Sequence, residues 1–194
     1  LQEFTHEWSR TGKTVSMANV IGEQNWEKAK VRVVLMGHWD TRPTSDQETD
    51  PGLKKLPISG ANDGASEVAV LLELMRVMTL KPNPELGIMY VMDDGEDLGP
   101  GDDEMYLGAE AFAKNLPTPK PDYGILLDMV GTKDLRVAVE PESYGLAKPL
   151  VVSFYQYAQA LGFGKTFPLE FGPGVLDDHQ SINKAGVPMM DLID

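Results

Sequence analysis

The sequence predicts an α/β layered domain on a mostly parallel sheet, and three observations predict it. Short apolar runs alternate along the chain with segments whose apolar residues recur at helical spacing. The 194 residues are enough for one domain with a substantial buried core, so residues 1–194 read as a single unit. Carboxylates and a histidine collect where the apolar runs end, and in open α/β sheets ligands bind outside the carboxyl ends of the strands.

The elements follow in order. "SMANVIG" from Ser16 and "KVRVVLM" from Lys30 read as neighbouring strands joined by a polar connection. The second strand runs into "GHWDTRP" and is followed by "TRPTSDQETDPGLKKLP", Thr41 to Pro57, which has no apolar periodicity. Structureless loops of this length are uncommon in compact domains and are often functional. "GANDGASEVAVLLELMRVM" then carries Val68, Leu71, Leu72, Met75 and Met78 at helical spacing, widened by Val70 and Leu74, which predicts a well-buried helix. "LGIMYVM" predicts a buried strand ending in "DDGEDLGPGDDE", and "LGAEAFAKN" a short helix. "YGILLDMV" predicts the next buried strand and "DLRVAV" another. One long amphipathic helix is predicted to carry Leu146, Leu150, Val151, Phe154, Tyr157 and Leu161. The Gly/Pro loop "FGPGVL" leads to "DDHQSINKAG", and the chain ends on the strand-like "VPMMDLID".

Composition limits the function. A formal charge of −13 repels phosphates and so argues against nucleic acid and anionic lipid as partners. No apolar run is long enough to cross a membrane, and "LQEFTHEWSR" shows no basic-then-apolar signal segment. The absence of cysteine removes disulfides, thiolate metal sites and a cysteine nucleophile together.

Chemistry gathers at the strand ends. One strand ends in His38 and Asp40, the next in Asp93, Asp94, Glu96 and Asp97, and a third in Asp128; Asp63 lies just before the long helix. One histidine and several carboxylates from different strands suit a divalent cation bound by nitrogen and oxygen. Each residue also has a plainer reading. Asp63 can cap its helix or shape the "NDG" turn, and His38 can be a hydrogen-bonded strand end. Asp128 is harder to explain that way, because a carboxylate on a buried strand needs a partner. The acidic loop after Asp93 can be solvated or a calcium loop, but the EF-hand pattern fails: counted from Asp94, the fifth and twelfth positions are Leu98 and Met105. Adjacent residues leaving a strand point in opposite directions, so of Glu96 and Asp97 one can bind a metal while the other serves as general acid or base. A desolvated carboxylate among others has a raised pKa, which suits proton transfer near neutral pH.

"GHWDTRP", "GANDGASEVAVLLELMR", "DGEDLG", "LLDMVG" and "DDHQSINKAGVP" occur in this order and together resemble the MH-clan zinc exopeptidases, which include co-catalytic zinc aminopeptidases and glutaminyl-peptide cyclotransferases. The resemblance runs from about Val31 to the end and implies a three-layer α/β/α sandwich on a mixed, mostly parallel sheet. It implies Zn2+ as cofactor, one ion in a cyclase and two in an aminopeptidase, and a peptide or protein N-terminus as substrate. By position, Asp63 would bind zinc, Asp97 the first ion, and Glu96 would be the general acid/base. His38 and Asp128 would bind the second ion of an aminopeptidase. In a cyclase, Asp128 and Asp177 would instead join a hydrogen-bond network with Glu96. A cis peptide after Asp63 is also implied. The long loop in "EDLGPGDDEMYLGAEAF", with "LLDMVG" and "DDHQSINKAGVP", resembles the bacterial cyclase branch, in which N-terminal Gln becomes pyroglutamate with release of ammonia. Hydrolysis of the first peptide bond is the alternative, and a non-catalytic binding domain on the same fold the third.

Two departures stand out. Asp97 occupies a position where Glu is more common. The family's last zinc ligand, a His in a Trp-His-Thr-like segment, would follow "MMDLID", where this sequence stops; the expectation is a catalytic domain cut short at that end. His179 is expected to be structural and His6 a surface residue. Asp40 is expected to orient His38, with Trp39 packed into the body of the protein. Resemblance to exported bacterial relatives implies an extracytoplasmic address.

Overall fold

The computed structural model describes residues 1–194, the side chain of Asp102 excepted. Six strands form one mixed sheet: β1 (Gln2–Trp8), β2 (Lys13–Gln24), β3 (Val31–His38), β4 (Leu86–Asp93), β5 (Tyr123–Asp128) and β6 (Met189–Ile193), in the order β1-β2-β4-β3-β5-β6. β4, β3, β5 and β6 are mutually parallel, while β2 is antiparallel to β4 and β1 to β2. The expected α/β sandwich on a mixed, mostly parallel sheet is therefore present.

Five helices cover the sheet: α1 (Ala65–Leu80), α2 (Leu107–Lys114), α3 (Pro141–Leu146), α4 (Lys148–Ala160) and α5 (His179–Lys184). Alternate residues of the strands serve the two faces, as the pleat requires. Val34, Met36, Met89, Val91, Leu126 and Met189 pack with Ala109 and Phe112 of α2 and Ile182 of α5. Leu127, Met190 and Leu192 pack on the opposite face with Leu71 of α1 and Val151 and Tyr155 of α4.

Four sequence expectations are corrected. β2 and β3 are not neighbours; β4 lies between them. The β3–α1–β4 crossover returns the chain parallel and beside β3, which leaves β2 the outer position. "DLRVAV" forms no sheet strand. Val137 and Val139 are buried, and their N–H groups donate to the carbonyls of Thr166 and Glu170, because β6 already pairs with β5 on that side. The long helix is two helices: Pro149, early in α4, has no N–H to continue α3. In α4 the buried residues are Val151, Tyr155 and Ala158, while Leu146, Tyr157 and Leu161 are exposed. Finally, α1 is half-exposed, not well buried. Its inward stripe is Glu67, Leu71, Leu74, Met75 and Met78, whereas Val70 and Leu72 face out, Leu72 with 52% of its surface accessible. β1, absent from the sequence expectations, forms a hairpin with β2 in which Phe4, His6 and Trp8 are half-buried.

Parallel register aligns the strand ends. His38 pairs with Asp93 across β3 and β4, and Met36 with Leu126 across β3 and β5. Two residues further on, His38 and Asp128 leave the sheet at the same level. Among the described residues, no helix is long and apolar enough to cross a membrane.

Candidate metal centre

His38 ends β3 and is nearly sealed from solvent, at 2% exposure. Its Nδ1 lies 3.1 Å from the backbone carbonyl of Asp40 and 3.5 Å from the Asp40 carboxylate. Both are acceptors, so Nδ1 carries a proton. Asp40 therefore orients the ring, as expected, but its carbonyl is the nearer partner.

The opposite nitrogen, Nε2, faces three carboxylates: Glu67 Oε1 at 3.0 Å, Asp63 Oδ1 at 3.1 Å and Asp128 Oδ1 at 3.5 Å. Neither Nε2 nor Asp128 Oδ1 has a hydrogen-bond partner, and both are buried. A neutral imidazole lone pair aimed at carboxylate oxygens is repelled. The arrangement is satisfied by positive charge between them, either a second ring proton or a cation. Burial alone would lower the pKa of His38, but Asp128, Asp40, Asp63 and Glu67 outweigh it and raise it. One donor atom from each of His38, Asp63, Glu67 and Asp128 lies within 4.8 Å of all the others. Tetrahedral zinc holds its nitrogen and oxygen ligands roughly 3.4 Å apart, close to the spacings around Nε2. These residues fit a zinc-sized cation.

The backbone explains the convergence. Gly64 has φ +96, a conformation L-residues rarely adopt, and a Cβ there would lie 2.3 Å from the Asp40 carbonyl oxygen. Its absence lets the turn after β3 meet the start of α1. The Asp63–Gly64 peptide is trans, contrary to expectation; the cis peptides are Gly99–Pro100 and Thr118–Pro119. The positive φ of Gly64 shapes the turn beside Asp63 without an unusual ω. Glu67 was missed by motif reading. Its signal was a charged residue on the buried stripe of α1, at i−4 from Leu71.

The second cluster surrounds Glu96. The Asp40 carboxylate accepts from the N–H groups of both Glu96 and Asp97, each at 3.2 Å, and so ties the β4 loop to the β3 turn. Beyond that tie the two side chains have different neighbours. Asp97 accepts from Arg42 Nη1 at 2.6 Å, and Arg42 also holds Asp46. Burial raises the Asp97 pKa, against the pull of Arg42. Glu96 is buried, and burial first, then the charge of Asp177 and those of Asp97 and Asp128, pushes its carboxyl up to about 10, with His38 opposing. Asp177 is itself held well above the carboxylate range by burial and by Asp128. The expected residues thus form two adjoining groups, His38–Asp63–Asp128 and Glu96–Asp177–Asp128. Asp97 stands beside them, engaged with Arg42.

The remaining expectations divide. His179 is fully buried between Glu140, 3.6 Å from Nε2, and Asp191, 3.8 Å from Nδ1. His6 is not a bare surface residue: it is half-buried, 3.4 Å from Glu104. Trp39 does not pack inside; it is 48% exposed and donates from Nε1 to the Ala18 carbonyl. The Thr41–Pro57 loop, whose length suggests a function, lines a cleft of about 640 Å³ through Arg42, Ser45 and Glu48, together with Ile58 and Asp63.

With this geometry established, comparison with known proteins is decisive. The profile described as Peptidase family M28 matches residues 19–194. The chain belongs to peptidase family M28. Among solved structures, a Zn-dependent exopeptidase from Parabacteroides distasonis superposes with a TM-score of 0.92 at 36% identity, covering 100% of this chain and 68% of that one. Porphyromonas gingivalis glutaminyl cyclase gives 0.90 at 37% identity, covering 100% and 69%. A leucine aminopeptidase precursor from Bacteroides thetaiotaomicron gives 0.89 at 33% identity, covering 98% and 69%. The alkaline phosphatase isozyme conversion protein of Escherichia coli is 27% identical over 198 residues; the match covers 94% of this M28 chain and 52% of that protein, so the chain spans about half the length of this curated relative.

Proposed function

We infer that this M28 protein is a zinc-dependent enzyme acting on peptide N-termini, and that its reaction is cyclisation of N-terminal glutamine. The observation that carries this reading is Glu96. Its carboxyl is buried beside Asp177 and Asp128 and raised to about 10, so it can hold a proton at neutral pH and pass it on. The likeness to the P. gingivalis cyclase supports the choice of reaction.

In this reading Asp63, with His38, Glu67 and Asp128 around it, would hold the zinc, which would supply Lewis-acid polarisation of the substrate's γ-carbonyl. Glu96 starts with its proton: as the α-amine nitrogen bonds to the γ-carbon, Glu96 gives that proton to the amide nitrogen, the C–N bond breaks and ammonia leaves. The carboxylate so formed takes back the proton that the α-amine nitrogen sheds. Asp177 and Asp128 keep the Glu96 carboxyl basic enough to accept that proton. The cleft beside Asp63 and Arg42 receives the residues that follow the glutamine.

A second reading, an aminopeptidase, is favoured by one specific observation: Asp97 stands beside this group, its carboxyl raised by burial and in part by Asp63, and would give a second ion a ligand of its own. One experiment separates the two. Peptides beginning with Gln and with Leu are incubated with the zinc-loaded chain and with Glu96→Gln, and the products are weighed by mass spectrometry. Loss of ammonia from the Gln peptides alone, absent in the variant, is expected. Release of the first residue would establish the aminopeptidase. Intact peptides with a zinc-bound, folded chain would refute both.

A further inference from the structure

Glu67 lies within "GANDGASEVAVLLELMR" but has no role in the metal site that the motif implies, yet it has the shortest contact to His38 Nε2. It is a fully buried carboxylate in the first turn of α1, at 0% exposure. Such a group needs compensation from positive charge or several donors. Two donors are local: Gly64 N–H donates to Oε1 at 2.5 Å and the Ser66 hydroxyl to Oε2 at 2.8 Å. These bonds cap the helix and lock the rotamer. They leave lone pairs on Oε1, which lies 3.0 Å from Nε2 of His38.

We propose that Glu67 is a metal ligand, the fourth donor of a site made with His38, Asp63 and Asp128. Four elements of the geometry support it. The four donor atoms are mutually within 4.8 Å. His38 Nε2 is buried, unpartnered and aimed into the group, and Asp128 Oδ1 is buried and unpartnered beside it. The Nδ1 proton donated to Asp40 leaves the Nε2 lone pair for a cation. The Glu67 rotamer is held by Gly64 and Ser66, so ordering it costs the bound state little. One nitrogen and three carboxylate oxygens make an oxygen-rich set, which accepts harder cations such as Mn2+ alongside Zn2+. The assignment rests on reading this sheet edge as a cation site, and it holds whichever peptide reaction occurs there.

The test is metal binding, without peptide substrate. The apo chain is titrated with Zn2+ and Mn2+ by calorimetry, and with Co2+ while the visible d–d bands are recorded, for wild type, Glu67→Gln and His38→Ala. Glu67→Gln keeps an oxygen to accept the Gly64 N–H but loses the charge. Its fold is checked by circular dichroism in chelator. The expected result is affinity weakened by more than about tenfold, a loss that even outer-shell partners can cause, together with a changed Co2+ spectrum. Glu67→Asp, which keeps the charge but draws the carboxylate back, is the second variant if Glu67→Gln does not fold. Unchanged affinity and spectrum in a folded Glu67 variant, with loss in His38→Ala, would overturn the assignment of Glu67 alone. Failure of the wild-type chain to bind any of the three ions would overturn the site as a whole. Neither result depends on whether the peptide assay finds a cyclase or an aminopeptidase.

Discussion

Replacing Gly64 by alanine tests the reasoning that brings the two halves of the site together. The backbone there sits at φ +96 and ψ −48, a region that costs a non-glycine residue about 1–3 kcal/mol. The new Cβ would lie 2.3 Å from the carbonyl oxygen of Asp40, a backbone atom that cannot rotate away. Overpacking of that kind adds about 1–3 kcal/mol, for a total of roughly 2–6 kcal/mol against a typical stability of about 5–15 kcal/mol. At about 2–4 °C per kcal/mol for a chain of this size, the midpoint falls by roughly 10 °C. Thermal unfolding followed by circular dichroism in chelator measures it, with Gly145→Ala as control. Gly145 lies in α3, where an added Cβ meets nothing within 4 Å, so that change is neutral or slightly stabilising. Zinc affinity should fall in the first variant and not in the second, because Asp63 and Glu67 flank the displaced turn. A Gly64→Ala midpoint within about 2 °C of wild type, with zinc affinity intact, would refute the close approach.

Three further outcomes follow from the same geometry. Glu96→Gln should lower turnover by about 10²–10⁴-fold without lowering the unfolding midpoint, since it removes a carboxyl that burial and Asp177 disfavour; a lowered midpoint with retained turnover would reverse the assignment. Asp40→Ala should destabilise by about 1–3 kcal/mol for each of the two N–H groups it leaves unpaired, and Asp40→Asn, which keeps one acceptor oxygen, should recover part of that in denaturant titration. The pH dependence has a definite sign. Asp93 is raised from 3.8 to about 6 and Glu96 from 4.5 to about 10, in both cases by burial first. An acid with a raised folded pKa adds stability that is full below its unfolded value and is lost as pH rises through the folded one. The metal-free chain should therefore unfold at progressively lower temperature from about pH 5 to about pH 9; a midpoint that rises over that range would contradict the burial of these carboxyls.

Much of the fold was legible because the parallel strands are short apolar runs with polar ends. "VRVVLMGH" and "YGILLD" announce both a buried strand and the place where it stops. What was not legible depends on partners distant in sequence. "DLRVAV" has the composition of a strand but lies where β6 has taken the sheet edge, so its N–H groups go to the loop around Thr166 and Glu170. Leu72 reads as an inward residue because it is apolar, but the stripe through Leu71 and Met75 leaves it outside. In the site, His38, Asp63, Asp128, Glu96 and Asp177 were legible from motif order, and the structure gathers them at one edge. Glu67 was not, because one carboxylate among apolar helix positions looks like a solvated residue until the sheet lies against it. The pairing of Asp97 with Arg42 was hidden for the same reason: the two are 55 positions apart.

The most direct test of the account is a zinc-edge anomalous difference map from crystals of the zinc-loaded chain. A peak is expected among His38 Nε2, Asp63, Glu67 and Asp128, about 2.0–2.2 Å from the histidine nitrogen and the ligating oxygens. Zinc density away from His38 and Asp63, with those side chains still paired to each other, would contradict it.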